Sequence, residues 1–389
     1  MIKLHDHQLR VIDKLNKHQR GQVIVPTGGG KTLCMITDAK CVLKGEKQTL
    51  VVVAPRILLA QQLSSDFLEH LDDAVKVMHV HSGDSHHYST TNSKKIFKWV
   101  EEYWNHNKIL FTTYHSLHKI QEAGIPVNTI YFDEAHNSVQ RHFHPATRFY
   151  ASLGNVRCYF FTATPKHSYS DEDPGMNNEY VYGKVLEQVP APELVDKDII
   201  LPPKVVVKEL DMIKDRKPTA EDDADNILAT LDEQNVSKIL ICARRTTQIT
   251  NLISDSKLTL ELYARGYNWM YITSKTGAVI NGIKVSREEF FKTLRTWGKD
   301  DAQKFIVMHH SILSEGISVP GLEAALFLRN MDFITISQTI GRVIRKGNEQ
   351  KQFGIVCVPV YDRVGISTAK NVTAVVDTIF NKGEPAISR

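Results

Sequence analysis

VPTGGGKT, residues Val25 to Thr32, follows a short apolar run and precedes the helical pattern TLCMITDAKCVL. A strand that enters glycines and then a helix aims backbone N–H groups and the positive helix end at one place, where a phosphate is held. Gly28, Gly29 and Gly30 let the chain curl without Cβ clashes, Lys31 can reach the β and γ oxygens, and the Thr32 hydroxyl can coordinate Mg²⁺. The usual pattern begins with a glycine where Val25 stands, at the exit from the strand, so the working loop starts at Pro26 or Thr27. A glycine-rich turn ending in a surface lysine is the competing reading.

A second stretch weighs against that reading. TIYFDEAH places Asp133 and Glu134 just past an apolar strand, at the end where doubly wound sheets bind ligands. Asp133 can hold Mg²⁺ through water, and Glu134 can polarise an attacking water as general base. An acidic helix start would use the same residue types, so it is the two stretches in this order that carry the reading.

The chain has 389 residues, long enough for two domains. With 42% hydrophobic and 24% charged residues, no membrane-length apolar run and no apolar core at the N-terminus, a cytoplasmic protein is expected. Net charge is only +4, so a basic surface for nucleic acid must be local. Five cysteines without a CxxC pair suggest neither zinc knuckle nor disulfides and read as buried thiols. The histidines of HVHSGDSHHY (His79, His81, His86, His87) have no cysteine or second acid set to complete a compact metal site and read as a polar loop.

Strand candidates are Gln22 to Val25, Leu50 to Ala54, Val75 to Val80, Ile109 to Thr112, Thr129 to Phe132 and Arg157 to Thr162. Most lack period-two polarity, as expected of parallel strands covered on both faces. The alternation pauses from Pro165 to about Pro203, then resumes with VVVKEL, KILICA, YITS, KFIVMH, AALFLR and FGIVCVPV. The expectation is an α/β chain of two doubly wound parallel-sheet domains, 1–168 and 204–389, joined by a linker over 169–203.

VPTGGGKT, YFDEAH and FTATP, followed by ILSEGISVPG and QTIGRVIR, resemble in order and spacing the motifs of superfamily 2 DEAH-box helicases and translocases, from about Leu4 to about Lys346. The pattern looks most like repair and restriction-type members, the phage recombination helicase, XPB-like and type III restriction-helicase group. The resemblance implies that both domains are RecA-like with the ATP site in the cleft between them, that Gln8, in LHDHQ, bonds adenine, and that Thr27, Gly28, Gly29, Gly30, Lys31, Thr32 and Gly316 bind ATP. It implies strand-phosphate contacts at Arg56, Ser82, Gly83, Thr113, Tyr114, Arg244 and Arg245. Coupling between ATP and strand falls to His136, Thr162, Thr164, Glu315 and Gln338. The family usually has Asp where Ser318 stands, which bears on nucleotide preference.

Gln338, Arg342 and Arg345 are spaced i, i+4 and i+7, one face of a helix, and the two arginines can meet a γ-phosphate. Such an arginine is worth roughly 10³ to 10⁵ in rate. The implied activity is ATP-dependent translocation or unwinding with ATP and Mg²⁺ as cofactors and nucleic acid as partner. DNA is favoured over RNA because the chain has little room for the accessory domains of DEAH-type RNA helicases. The alternatives are an RNA helicase, a small-molecule phosphotransferase sharing the phosphate loop, and a catalytically silent clamp.

Overall fold

The computed structural model describes residues 3–83, 85–170, 172–210, 219–273, 276–310, 319, 321–328, 331–346, 351–361 and 366–388. The chain forms two compact units, Met1–Pro190 with Ile387–Arg389, and Ala191–Ala386.

The first unit is built on seven strands, β1 (Arg20–Ile24), β2 (Thr49–Ala54), β3 (Lys76–Val80), β4 (Lys108–Thr113), β5 (Thr129–Phe132), β6 (Arg157–Thr162) and β7 (Val185–Gln188), in the order β3-β4-β2-β5-β6-β1-β7. Every pairing is parallel, with Thr49 opposite Lys108 and Thr129 opposite Arg157. The central strands are buried at every position, whereas β7 is half exposed. Val51, Val53, Leu110, Ile130, Phe132 and Phe160 pack on one face of the sheet. The alternating residues Val52, Phe111, Tyr131 and Phe161 are equally buried on the other, which explains the missing polar alternation.

β7 lies within the segment 169–203. Its sequence, VLEQ, has only two apolar residues, and it is held by backbone pairing to β1 at the sheet edge. After β6, Pro165 and His167 bond the backbone of Ser388, so the last residues of the chain complete this unit directly behind FTATP.

The second unit has eight strands, β8 (Pro203–Leu210), β9 (Lys238–Cys242), β10 (Asn268–Thr273), β11 (Gly277–Ile280), β12 (Ile283–Val285), β13 (Phe305–His309), β14 (Ala324–Phe327) and β15 (Gly354–Tyr361). Their order is β12-β11-β10-β13-β9-β14-β15-β8. Six strands are parallel as expected, but β11 and β12 add an antiparallel hairpin at one edge. Its turn is Asn281–Gly282, with φ of +46° and +83°, the two-residue geometry that Asn-Gly adopts readily. No helix among the described residues is long and apolar enough to cross a membrane.

Candidate nucleotide site

β5, β6 and β1 are neighbours in the first sheet, so their carboxyl ends deliver DEAH, FTATP and VPTGGGKT to one place. Val25 is fully buried, and its N–H bonds the Thr162 carbonyl at 3.0 Å, which continues the strand pairing one residue past β1. Gly28 (φ +91°) and Gly30 (φ +80°) take left-handed conformations that only glycine adopts freely. Gly30 is the N-cap of the helix Lys31–Val42, whose first N–H groups have no partner within the helix. Lys31 is 9% exposed, and its Nζ donates to the Val25 carbonyl at 3.2 Å. Thr32 is half-buried in the first turn.

The helix Asp6–Lys17 braces this loop from the side. Gln8 accepts the His5 N–H at 2.9 Å and turns its Nε2 to the Gly30 carbonyl at 3.5 Å. His7, fully buried, donates Nε2–H to the Gly29 carbonyl at 2.8 Å. His7 has no place in the sequence-level assignment; its position beside Gln8 was the available signal. A buried cluster also ties the far end of the phosphate-loop helix to the sheet: the Tyr131 hydroxyl (2.6 Å) and Arg157 Nη2 (2.9 Å) both donate to Asp38. Removing one member of such a buried pair costs far more than the pair itself is worth.

Asp133 and Glu134 are 6% and 8% exposed. Glu134 takes a left-handed conformation, φ +46°, and begins the 3₁₀ turn Ala135–Val139 rather than an α-helix. Burial, and then the adjacent Glu134 carboxylate, push the Asp133 carboxyl up to about 7, while Lys31 and the Glu134 N–H pull the other way. His136 joins the acids to FTATP, with Nδ1 at 3.1 Å from the Thr162 hydroxyl, 3.4 Å from that of Thr164 and 3.5 Å from Glu134 Oε2. The Asn137 amide donates to His136 Nε2 at 3.2 Å, so the ring proton sits on Nδ1 and is given to this group of oxygens.

The expected strand-contacting residues separate by exposure. Arg56, Ser82, Arg244 and Arg245 are exposed, and Gly83 is partly exposed. Arg56 and Arg245 are each the N-cap of a helix that leaves a central strand of its unit, with φ, ψ of −140°, 154° and −141°, 152°. Thr113 and Tyr114 differ from these in being buried, at 3% and 2% exposure. Tyr114 stacks on Phe132 and Phe143 and donates its hydroxyl to the Asp133 carbonyl at 2.8 Å, so its side chain supports the acidic turn.

A correction concerns QTIGRVIR. The helix Phe333–Val343 carries Gln338 and Arg342 but stops before Arg345. Arg345 instead forms an antiparallel bridge with Ile200, and the Ile344 carbonyl accepts the Leu201 N–H at 2.7 Å, so a strand-like partner takes the backbone groups the helix would need. Arg342 is 4% exposed. Glu315, Gly316 and Ser318 lie outside the described residues. Of the five cysteines, four are buried as expected, but Cys41, in the last turn of its helix, is exposed; all are free.

Residues 1–167 match the family described as Type III restriction enzyme, res subunit. A comparison with curated proteins finds no match. Among solved structures, the ATP-dependent Type ISP restriction-modification enzyme LlaBIII bound to DNA superposes with a TM-score of 0.74 at 19% identity, covering 98% of this chain and 30% of that one. A nuclease-deletion mutant of the Type ISP enzyme LlaGI, in complex with a DNA substrate mimic, gives 0.69 at 21% identity, over 98% of this chain and 29% of that one. S. cerevisiae Dbp5 bound to RNA and ADP BeF3 gives 0.60 at 14% identity, over 100% and 90%. The chain thus spans about a third of the length of the two restriction enzymes it matches. At these identities the likeness is one of fold, two RecA-like domains.

Proposed function

We propose that this superfamily 2 helicase-like chain hydrolyses ATP and uses the hydrolysis to move along nucleic acid, DNA in preference to RNA. The observation that carries the reading is the convergence of Lys31, Asp133, Glu134 and the His136–Thr162 contact at the adjoining ends of β1, β5 and β6.

The left-handed Gly28 and Gly30 open the loop's backbone to a triphosphate, and the N-terminus of the Lys31–Val42 helix offers it N–H groups. Lys31 leaves the Val25 carbonyl to meet the β and γ oxygens, and Gln8 holds the loop from the adenine side. The Asp133 carboxyl, whose pKa is raised by burial and then by the neighbouring Glu134 carboxylate, is a donor that suits a divalent cation, with the Thr32 hydroxyl as a further ligand. Mg²⁺ bound there would neutralise charge on the phosphate oxygens. Glu134 takes the proton of the attacking water, and His136 passes the change at Glu134 to Thr162 and Thr164.

Arg342 and Arg345 keep the role their motif implies, stabilising charge on the transferring phosphoryl group. Exposed Arg56, Arg244 and Arg245 meet strand phosphates, which makes binding independent of base sequence and sensitive to salt. The DNA-bound relatives favour DNA, and the RNA-bound neighbour keeps an RNA substrate as the second reading. Steady-state ATPase measured in parallel without nucleic acid and with single-stranded DNA, branched DNA and RNA decides between them. Hydrolysis that none of these stimulates would sink the translocase reading.

A further inference from the structure

Two histidines of HVHSGDSHHY, His79 and His81, form a directed relay. The Gly83 N–H donates to His81 Nδ1 at 3.3 Å, His81 Nε2 lies 3.0 Å from His79 Nδ1, and His79 Nε2 lies 3.1 Å from the Ser64 hydroxyl. The first contact fixes the rest. His81 Nδ1 accepts, so its proton is on Nε2; His79 Nδ1 must then accept, and its proton on Nε2 goes to Ser64. With the Gly83 N–H as the donor, both rings are Nε2–H tautomers; both are buried, at 1% and 2% exposure.

Ser64 belongs to the helix Ile57–Leu68, whose N-cap is Arg56. The relay therefore returns to the helix that starts at one candidate strand-contacting arginine, and begins at Gly83, in the other candidate loop. The two also touch directly: a Cβ on Gly83 would lie 2.8 Å from Ile57 Cγ2, so the loop packs on the first helical residue after Arg56. Helix, Ser64, His79, His81 and Gly83 thus close a ring of contacts that sets the loop against Arg56.

We propose that His79 and His81 are positioning residues for nucleic-acid binding, holding Ser82 and Gly83 in register with Arg56 so that both loops follow one strand backbone. The role rests on the translocase reading. Neither ring touches the nucleotide residues, and the neutral state the relay needs is the one that burial favours.

The test compares wild type with Ser64→Ala, His81→Leu and His81→Gln, whose amide nitrogen reproduces the Nε2–H donor. Binding is read by anisotropy of a fluorescein-labelled single-stranded DNA, ATPase is read without DNA, and imidazole tautomers are read by long-range ¹H–¹⁵N spectra. Ser64→Ala and His81→Leu should bind roughly fivefold to tenfold more weakly, the scale of one or two lost hydrogen bonds. DNA-independent ATPase should be unchanged, and His81→Gln should recover binding. A proton on Nδ1 of either ring overturns the relay, and wild-type binding by both broken variants overturns the positioning role alone. Wild-type protein that binds no strand overturns the functional reading and this role with it.

Discussion

The Tyr114 hydroxyl donates to the Asp133 carbonyl at 2.8 Å, joining the end of β4 to the acidic turn after β5. The phenol is fully enclosed and kept protonated, its pKa raised well above the ordinary value by burial and by the Asp133 charge. Tyr114→Phe leaves a buried carbonyl without this donor and should cost about 1–3 kcal/mol of stability. Urea unfolding measures that cost, and ATPase should fall while DNA affinity holds. Weakened DNA binding with unchanged ATPase would return Tyr114 to the strand-contacting set.

Glu134→Gln removes the base but keeps the size of the side chain. Its ATPase should drop by about 10²- to 10⁴-fold, with ATP binding retained in equilibrium dialysis. An unchanged rate would favour the silent-clamp alternative.

Gly30→Ala places a methyl group 2.2 Å from Gln8 Nε2 at a φ of +80°. The amide can swing away, but the backbone strain of roughly 1 kcal/mol remains. ATP affinity, read by equilibrium dialysis, should fall, and an unchanged affinity would count against the left-handed Gly30 as part of the nucleotide loop.

His79 and His309 are held down to about 3, each chiefly by burial, with His81 and His87 adding to the first and Arg342 and His310 to the second. The unfolded chain takes up these protons near the ordinary 6.5, so the contribution is full above that pH and is lost as pH falls from 6.5 toward 3. Unfolding free energy should therefore decline on acidification through this window. His79→Phe should flatten the decline, if the variant folds; a curve of unchanged slope would count against the buried neutral ring.

Cys34, Cys158, Cys242 and Cys357 are buried, and burial pushes each thiol up to about 12, whereas Cys41 is exposed. Alkylation of the native protein should label Cys41 first and alone on a short exposure. Mass spectrometry of the digested product reads the outcome.

What was legible in the sequence follows from local pattern. Continuous apolar runs such as Leu50–Ala54 and Ile239–Cys242 announce strands buried on both faces, and a glycine loop between strand and helix announces a phosphate-sized concavity. The order of DEAH and FTATP then placed the remaining chemistry, because the ends of neighbouring parallel strands meet. The edge hairpin Gly277–Val285 was signalled by Asn281–Gly282 and was missed because its strands are short.

The sequence by itself determined the parallel strands of both sheets and the loops at their carboxyl ends, since apolar period and glycine placement are properties of neighbouring residues. Only the tertiary structure decided which candidates reach the surface and where helices stop. Tyr114 is turned inward by the Asp133 carbonyl, just past another strand, and the helix before Arg345 ends where the chain at Ile200 pairs with Arg345 and Leu201 claims the Ile344 carbonyl. Partners distant in the chain compete for the same hydrogen bonds and the same buried volume, and spacing along the sequence carries no record of who wins.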